Sequence, residues 1–336
     1  MTSLASVTPP LRLPAVVYDG TLPYFIGLLG NYAGMAPLGQ PLVLDLQSVK
    51  FYTPSAMAAL VATIYSWHKQ HLKIQFVNHQ TAPAFAYWQR MDIFANCGIS
   101  LTESFRRHDA AGRFIPLTRF CSTDNVDAAA RNVAGCLFPD QAELCDPEQT
   151  GAFDFVEYAT SELMLNVQQH AHSDGFILAQ VYPNKNMVCL AIADFGIGIR
   201  RSFEVSQSPF WTPEMNDSDA IDFALRPKIS SKTHLAGGWD MGRINAGVGL
   251  SMIEQLAHDT GGIFTLVSHA GFFQHNHNEH IEHPVALGLQ VSFPGTLCAV
   301  QIPKTKLINN PQLLRSAKES LQLLDKTNQF GNLFEP

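Results

Sequence analysis

The 336-residue sequence carries no basic excess: 22 lysines and arginines face 29 aspartates and glutamates, for a formal net charge of −7. Nucleic-acid surfaces usually show the opposite imbalance, so that class is set aside. A small anionic ligand is not, because backbone amides and a cation can hold one locally. Long apolar runs are also lacking. Stretches such as AMAALVA, 56–62, fall far below the ~18 residues of a membrane span, and MTSLASVTPPLRLPAVV has no apolar core of signal-peptide length. The six cysteines, at 97, 121, 136, 145, 189 and 298, form no Cys-x-x-Cys pair, which leaves a zinc ribbon or redox motif unsupported. No Gly-x-x-x-x-Gly-Lys-Ser/Thr occurs, excluding a P-loop, and no complete Gly-x-Gly-x-x-Gly, disfavouring a dinucleotide fold. Asp-Phe-Gly is present at 194–196, but the His-Arg-Asp loop and Val-Ala-Ile-Lys strand of protein kinases are not. These absences describe a soluble, reducing, cytoplasmic chain with unpaired thiols.

What is present is 46% hydrophobic residues, enough for real cores, over a length that suggests about two domains. Residues 1–14 read as a Pro-rich leader. PLVLDLQ (41–47) and LKIQFVN (72–78) read as strands. PSAMAALVATIYSWHKQ (54–70), opened by Pro54 where its missing N–H is harmless, and TAPAFAYWQRMDIF (81–94) read as helices. That alternation predicts a small parallel or mixed sheet. Periodicity lapses between about 98 and 112, the expected boundary. Beyond it come strands at 113–120, 176–182, 187–195, 263–269 and 296–303, with helices at 126–138, 152–171 and 248–260. Residues 200–246 show little sustained periodicity and read as a lid or a disordered stretch. In the tail, 306–336, Leu313, Leu314, Ala317, Leu321 and Leu324 share a helix face that either docks on its own domain or forms a dimer contact. There is no internal repeat.

Three elements carry chemistry. In ELMLNVQQHA (162–171), Glu162, Asn166 and His170 recur every four residues and fall on one helix stripe. DFGIGI (194–199) ends a strand and GVGL (247–250) begins a helix. Glycine permits close backbone approach, and a helix start favours phosphate. Asp194 at a strand end can accept from an exocyclic amine such as adenine's. Each piece alone is weak. In order, with GGIF (261–264) and PGTLCAVQIP (294–303), they resemble the GHKL ATPase superfamily over about 113–305. The resemblance implies a Bergerat α/β sandwich, with ATP between a mixed sheet and helices under a mobile lid.

Carried over by position, the resemblance implies that Asn166 ligates Mg2+ through its amide oxygen, and that Glu162 orients or deprotonates the attacking group. It also puts His170 near the phosphates and Asp194 on the adenine amine. Gly196 and Gly198 would shape the pocket, and Gly247, Gly249 and Leu250 would let the lid-to-helix turn wrap the phosphates. Thr296 would support adenine through its hydroxyl or a water. Lid residues Arg226, Lys228 and Lys232 either reach phosphate or are simply solvated. The Asn-x-x-x-His-Ala ending leans towards the kinase-like branch, which includes anti-sigma serine kinases. A sensor histidine kinase is disfavoured, because 96–150 is too broken for a long dimerising helix pair.

Residues 40–95 resemble a STAS domain, the fold of anti-sigma factor antagonists. The expected arrangement is thus a STAS-like domain at 1–105, a GHKL domain at 110–305 and a tail. Antagonists carry a phosphorylated serine at the loop–helix junction, where this chain has Thr53-Pro54-Ser55-Ala56. Proline cannot accept phosphate, and Ser55 reads as a helix-capping hydroxyl, with Thr53 or Ser55 as substitute acceptors. The domain is therefore expected to be a fixed partner of the ATPase or a contact for another protein. HNHNEHIEH (275–283) reads as a loop in which His275, His277, His280 or His283 either share a metal or are only solvated. The functional expectation is a signalling protein that hydrolyses Mg-ATP or transfers its phosphoryl group. The alternative is an ATP-gated binding module without chemistry.

Overall fold

The apolar run MVCLAIA ending at Asp194 is the key to the architecture. In this computed structural model, which describes residues 9–35, 40–144, 151–227, 229, 248–276, 279–282, 290–310 and 312–320, it is the strand Met187–Asp194 near the middle of a seven-stranded sheet. Across the sheet the strands run Glu279–Glu282, Gly271–Asn276, Ile263–Ser268, Thr296–Pro303, Met187–Asp194, Gly175–Tyr182 and Phe114–Phe120. Antiparallel sheets commonly leave one face wet and alternate apolar with polar residues. This one does not, because both faces are covered. Val188, Leu190 and Ile192 join the core beneath one set of helices, whereas Ala191 and Ala193 join the core shared with the N-terminal half. Phe176 and Leu178 against Ile177 and Ala179 divide in the same way one strand over.

On the first face lie the helices Val126–Leu137, Gly151–Asn166 and Gly249–Thr260. Asn125 caps the first by accepting from the Ala128 amide at 3.0 Å. On the second face lies Pro54–Lys69, every residue of which from Pro54 to Ile64 is buried. A helix that is apolar all round needs cover on all sides. This one packs on the large sheet in front and on the helix Leu22–Met35 behind. Beyond them, Leu11–Arg12, Leu42–Asp45 and Ile74–Val77 form a parallel three-stranded sheet. The chain is α/β, and the two halves share one continuous core from Leu13 to Ala299.

Several expectations need correction. Residues 9–14 are no loose leader: Leu11 and Arg12 pair with Leu44 and Asp45, and Leu13 is buried. The helix Leu22–Met35, which contains Gly27, Gly30 and Gly34, is not among those expected from the sequence; at Gly30 a Cβ would stand 2.9 Å from that of Ser292. Parallel pairing is confined to the N-terminal half, where Val16–Val17 also pairs with Phe51–Tyr52 in a separate two-stranded sheet. Every neighbouring pair in the seven-stranded sheet is antiparallel, because short reversals such as Pro183–Asn186 and His269–Ala270 join sequential strands. Residues 200–227 are not structureless. Gly198–Val205 and Asp217–Ala224 are helices, and Phe203, Ala220 and the intervening Met215 form a small core of their own. The histidine run is not a loop: Gly271–Asn276 and Glu279–Glu282 are paired strands. His275 Nδ1 lies 2.6 Å from Glu254 Oε1, and His277, His283 and the His280 side chain fall outside the described residues. Among the described residues no group of three His, Cys, Asp or Glu side chains could hold a metal.

The stretch from 98 to 113 has neither helix nor strand, and the five described cysteines are free. Leu313 and Ala317 of the tail are buried on the same core as the helices Gly151–Asn166 and Gly249–Thr260, so this part of the face docks on its own chain; Leu321 and Leu324 lie outside the described residues. No described helix is long and apolar enough to cross a membrane.

Candidate functional site

Strand alternation decides which side chains reach the cleft. Ile192, Asp194, Leu266, Thr296 and Cys298 all point to the helical face, and all five line one cleft between that face and the helices. Glu162, Asn166, His170, Gly198, Gly249 and Leu250 line it as well. Gly196 stands in the turn beside it, and Gly247 lies outside the described residues.

Asp194 is the buried charge. Its Oδ1 accepts from the backbone amides of Gly196 at 2.8 Å and Thr296 at 3.1 Å. Burial pushes this carboxyl from its ordinary 3.8 up to about 6, partly opposed by those two amides, the nearby His269 and the Thr296 hydroxyl. A carboxylate held this way at the end of an apolar slot suits a flat heterocycle with an exocyclic amine. Thr296 directs both its amide and its hydroxyl at Asp194.

The Glu162–Asn166–His170 edge runs between the two glycine turns. At one end Glu162 lies against Gly249, where any Cβ would collide with Glu162 Oε2. At the other, the Ala171 carbonyl lies against Gly196 and accepts from the Ile197 amide at 3.0 Å. Positions four apart on an α-helix drift by about 40° around the axis. Residues Val167–Ala171, which carry His170, instead form a π turn with wider spacing. Gly198, at φ 72°, completes the second turn, tied down by the Ile199 amide donating to Ser268 Oγ at 2.8 Å.

Sequence reading missed Ser202, whose Oγ stands 3.2 Å from His170 Nδ1, and the apolar lining from Phe203, Leu266 and Cys298. Strand parity from Asp194 would have found Ile192, and parity from Thr296 would have found Cys298. Nothing in the sequence marked Ser202, because the helix bearing it was read as lid. Arg226 packs its guanidinium over the Phe223 ring, 4.5 Å from the centroid, while Lys228 and Lys232 lie outside the described residues.

The Thr53–Ala56 stretch is far from being a surface switch. Ser55 Oγ donates to Asp19 Oδ1 at 2.8 Å and lies 2.8 Å from Thr53 Oγ1, with Thr53 and Ser55 both buried. Ser55 is thus no helix cap. Gln301, on the large sheet, donates to the second Asp19 oxygen, and Gln274 donates to the Asp19 carbonyl at 3.2 Å. Burial raises the Asp19 carboxyl above its usual range, against those side-chain donors. This polar island joins the N-terminal half to the sheet.

Comparison of the chain with protein-family models, with curated proteins and with solved structures finds no match in any of the three. The functional reading therefore rests on the cleft.

Proposed function

We propose that this chain binds ATP with Mg2+ in the cleft and hydrolyses it or transfers its phosphoryl group, as a cytoplasmic regulatory protein of GHKL type. The observation that carries the reading is the meeting of Asp194, Asn166, Glu162 and Gly249, from separate parts of the sequence, around one cleft. Asp194 holds the adenine amine above the apolar floor. Asn166 supplies an amide oxygen on the helix edge, the donor type a hard cation prefers, so this residue fits Mg2+. When bound, the ion neutralises phosphate charge. Glu162 holds or takes the proton of the attacking hydroxyl or water. The start of the helix Gly249–Thr260, where the first N–H groups of a helix have no intrahelical acceptor, favours the terminal phosphates.

The N-terminal half is a STAS-like partner fixed to the ATP-binding half. Burial of Thr53 and Ser55 supports this, since neither hydroxyl is available to a kinase in this arrangement. Any outside protein partner then uses another surface of that half.

Incubation with γ-labelled ATP tests the reading. Labelled free phosphate is expected of a hydrolase and labelled protein of a kinase, each lost in Glu162→Ala with nucleotide binding kept. Tight binding with neither product identifies an ATP-gated module instead. No uptake of adenine nucleotide at millimolar concentration refutes the reading.

A further inference from the structure

His269 follows the strand Ile263–Ser268 in a left-handed conformation, φ 49°, that residues other than glycine seldom adopt. Its backbone is tied to the segment that leads into Thr296. The His269 amide donates to the Gly295 carbonyl at 3.3 Å, and the Phe293 amide donates to the His269 carbonyl at 3.0 Å. Its ring reaches the glycine turn. Nε2 lies 2.9 Å from the Ile197 carbonyl, and the ring packs so closely on Gly198 that a Cβ there would collide with its Cδ2. A carbonyl oxygen only accepts, so Nε2 carries the hydrogen of this contact. One residue earlier, Ser268 Oγ accepts from the Ile199 amide at 2.8 Å. Residues 268 and 269 thus grip the turn on both sides of Gly198.

That turn supplies the Gly196 amide to Asp194 Oδ1 at 2.8 Å, and the segment after Phe293 supplies the Thr296 amide at 3.1 Å. His269 is bonded to both pieces that orient the carboxyl, without being one of the residues that line the cleft. Three charged groups lie on the elements packed around it. Asp194 ends its strand, Arg200 donates from Nε to the Met215 carbonyl at 2.6 Å, and Asp217 Oδ2 accepts from the Ala270 amide at 3.1 Å. A protonated ring favours the ionised carboxyl and so opposes the effect of burial on Asp194.

We propose that His269 is a positioning residue: its Nε2–H holds the Ile197 carbonyl and with it the Gly196–Gly198 turn, and its ring charge supports Asp194 in the ionised form that receives the ligand's exocyclic amine. The role of the carboxyl rests on the ATP reading of the cleft; the clasp itself does not.

Three variants separate the donor, the ring and the charge. His269→Gly suits the left-handed backbone and removes the whole side chain, so the fold is kept. His269→Phe keeps a ring without the donor, and His269→Gln keeps an N–H without the charge. In calorimetry at pH 8, adenosine and ATP are expected to lose affinity alike, roughly three- to tenfold, in His269→Gly and His269→Phe, the range of one hydrogen bond. His269→Gln is expected to stay within about twofold of the parent at that pH. As pH falls, it should lose affinity at a higher pH than the parent does. In the ligand-free protein, carbon-13 shifts of the Asp194 carboxyl should likewise place its titration at higher pH in His269→Gln and His269→Gly than in the parent. Parent-like affinity in His269→Gly, a His269→Gln as weak as His269→Phe, or an Asp194 titration indifferent to all three substitutions overturns the assignment. Failure of the parent to take up adenosine or ATP brings down the reading of the cleft instead; the ligand-free titration of Asp194 then still decides whether His269 governs that carboxyl.

Discussion

Replacing Asp194 with asparagine should move stability and ligand affinity in opposite directions. A carboxyl raised from 3.8 to about 6 costs the ligand-free fold roughly 3 kcal/mol once it is ionised in both folded and unfolded chains. The stability tied to its protonated form is fully present below the unfolded value of 3.8 and is lost as pH rises through about 6. Asparagine keeps an oxygen for the Gly196 and Thr296 amides but carries no charge. At pH 8 it should therefore stabilise the ligand-free protein by up to about 3 kcal/mol, a gain that shrinks below about 1 kcal/mol near pH 4. Its amide nitrogen would meet the ligand amine donor to donor, and affinity should fall by roughly ten- to a hundredfold. Urea unfolding of parent and variant at pH 8 and pH 4, with adenine-nucleotide calorimetry at pH 8, checks both signs. Parent affinity should itself weaken as pH drops below about 6, where the carboxylate becomes protonated. A variant no more stable than the parent at pH 8, with a difference insensitive to pH, refutes the account of Asp194 as a strained, ligand-directed charge.

Three further outcomes are expected. Gly249→Ala forces its methyl group into Glu162 Oε2 and should cost about 1–3 kcal/mol while weakening nucleotide uptake. Gly34→Ala, with nothing within 4 Å, should instead stabilise its helix by roughly 0.5–1 kcal/mol, and a like response from both variants in thermal melts speaks against the packing at Gly249. Ser55→Ala removes a donor to Asp19 and should cost about 1–2 kcal/mol. Ser55→Glu sets two buried carboxyls together and should abolish cooperative unfolding, so a native-like Glu variant by circular dichroism counts against a closed interface. Tyr65→Ala removes ring contacts to Phe176 at 4.8 Å and Phe195 at 5.6 Å. It should cost about 2–4 kcal/mol and lower ATP affinity although it lies outside the cleft. Unchanged affinity there would show that the two faces act independently.

Local patterns wrote much of this into the sequence. The helix bearing Glu162, Asn166 and His170, the strand ending at Asp194 and the glycine at 249 all stand where spacing put them. Less legible was anything depending on tertiary cover. The helix Leu22–Met35 survives its glycines because Phe25, Ile26 and Leu29 are buried. Ser55 looked like a cap because its true partner, Asp19, is 36 residues away. The π turn leaves no periodicity signal, so the approach of His170 to Ser202 could be learned only from the folded chain.

Asp194 and Phe195 are consecutive and point to opposite sides of the same backbone. The carboxyl opens into the cleft, whereas the Phe195 ring meets Tyr65 at 5.6 Å and carries the Lys69 ammonium 4.5 Å from its centroid. One peptide plane is thus shared by a carboxyl that lines the cleft and a ring packed on the end of the helix Pro54–Lys69. Neither half of this protein can be cut away for separate study without baring an oily wall, and neither can drift in sequence without its neighbour feeling the change.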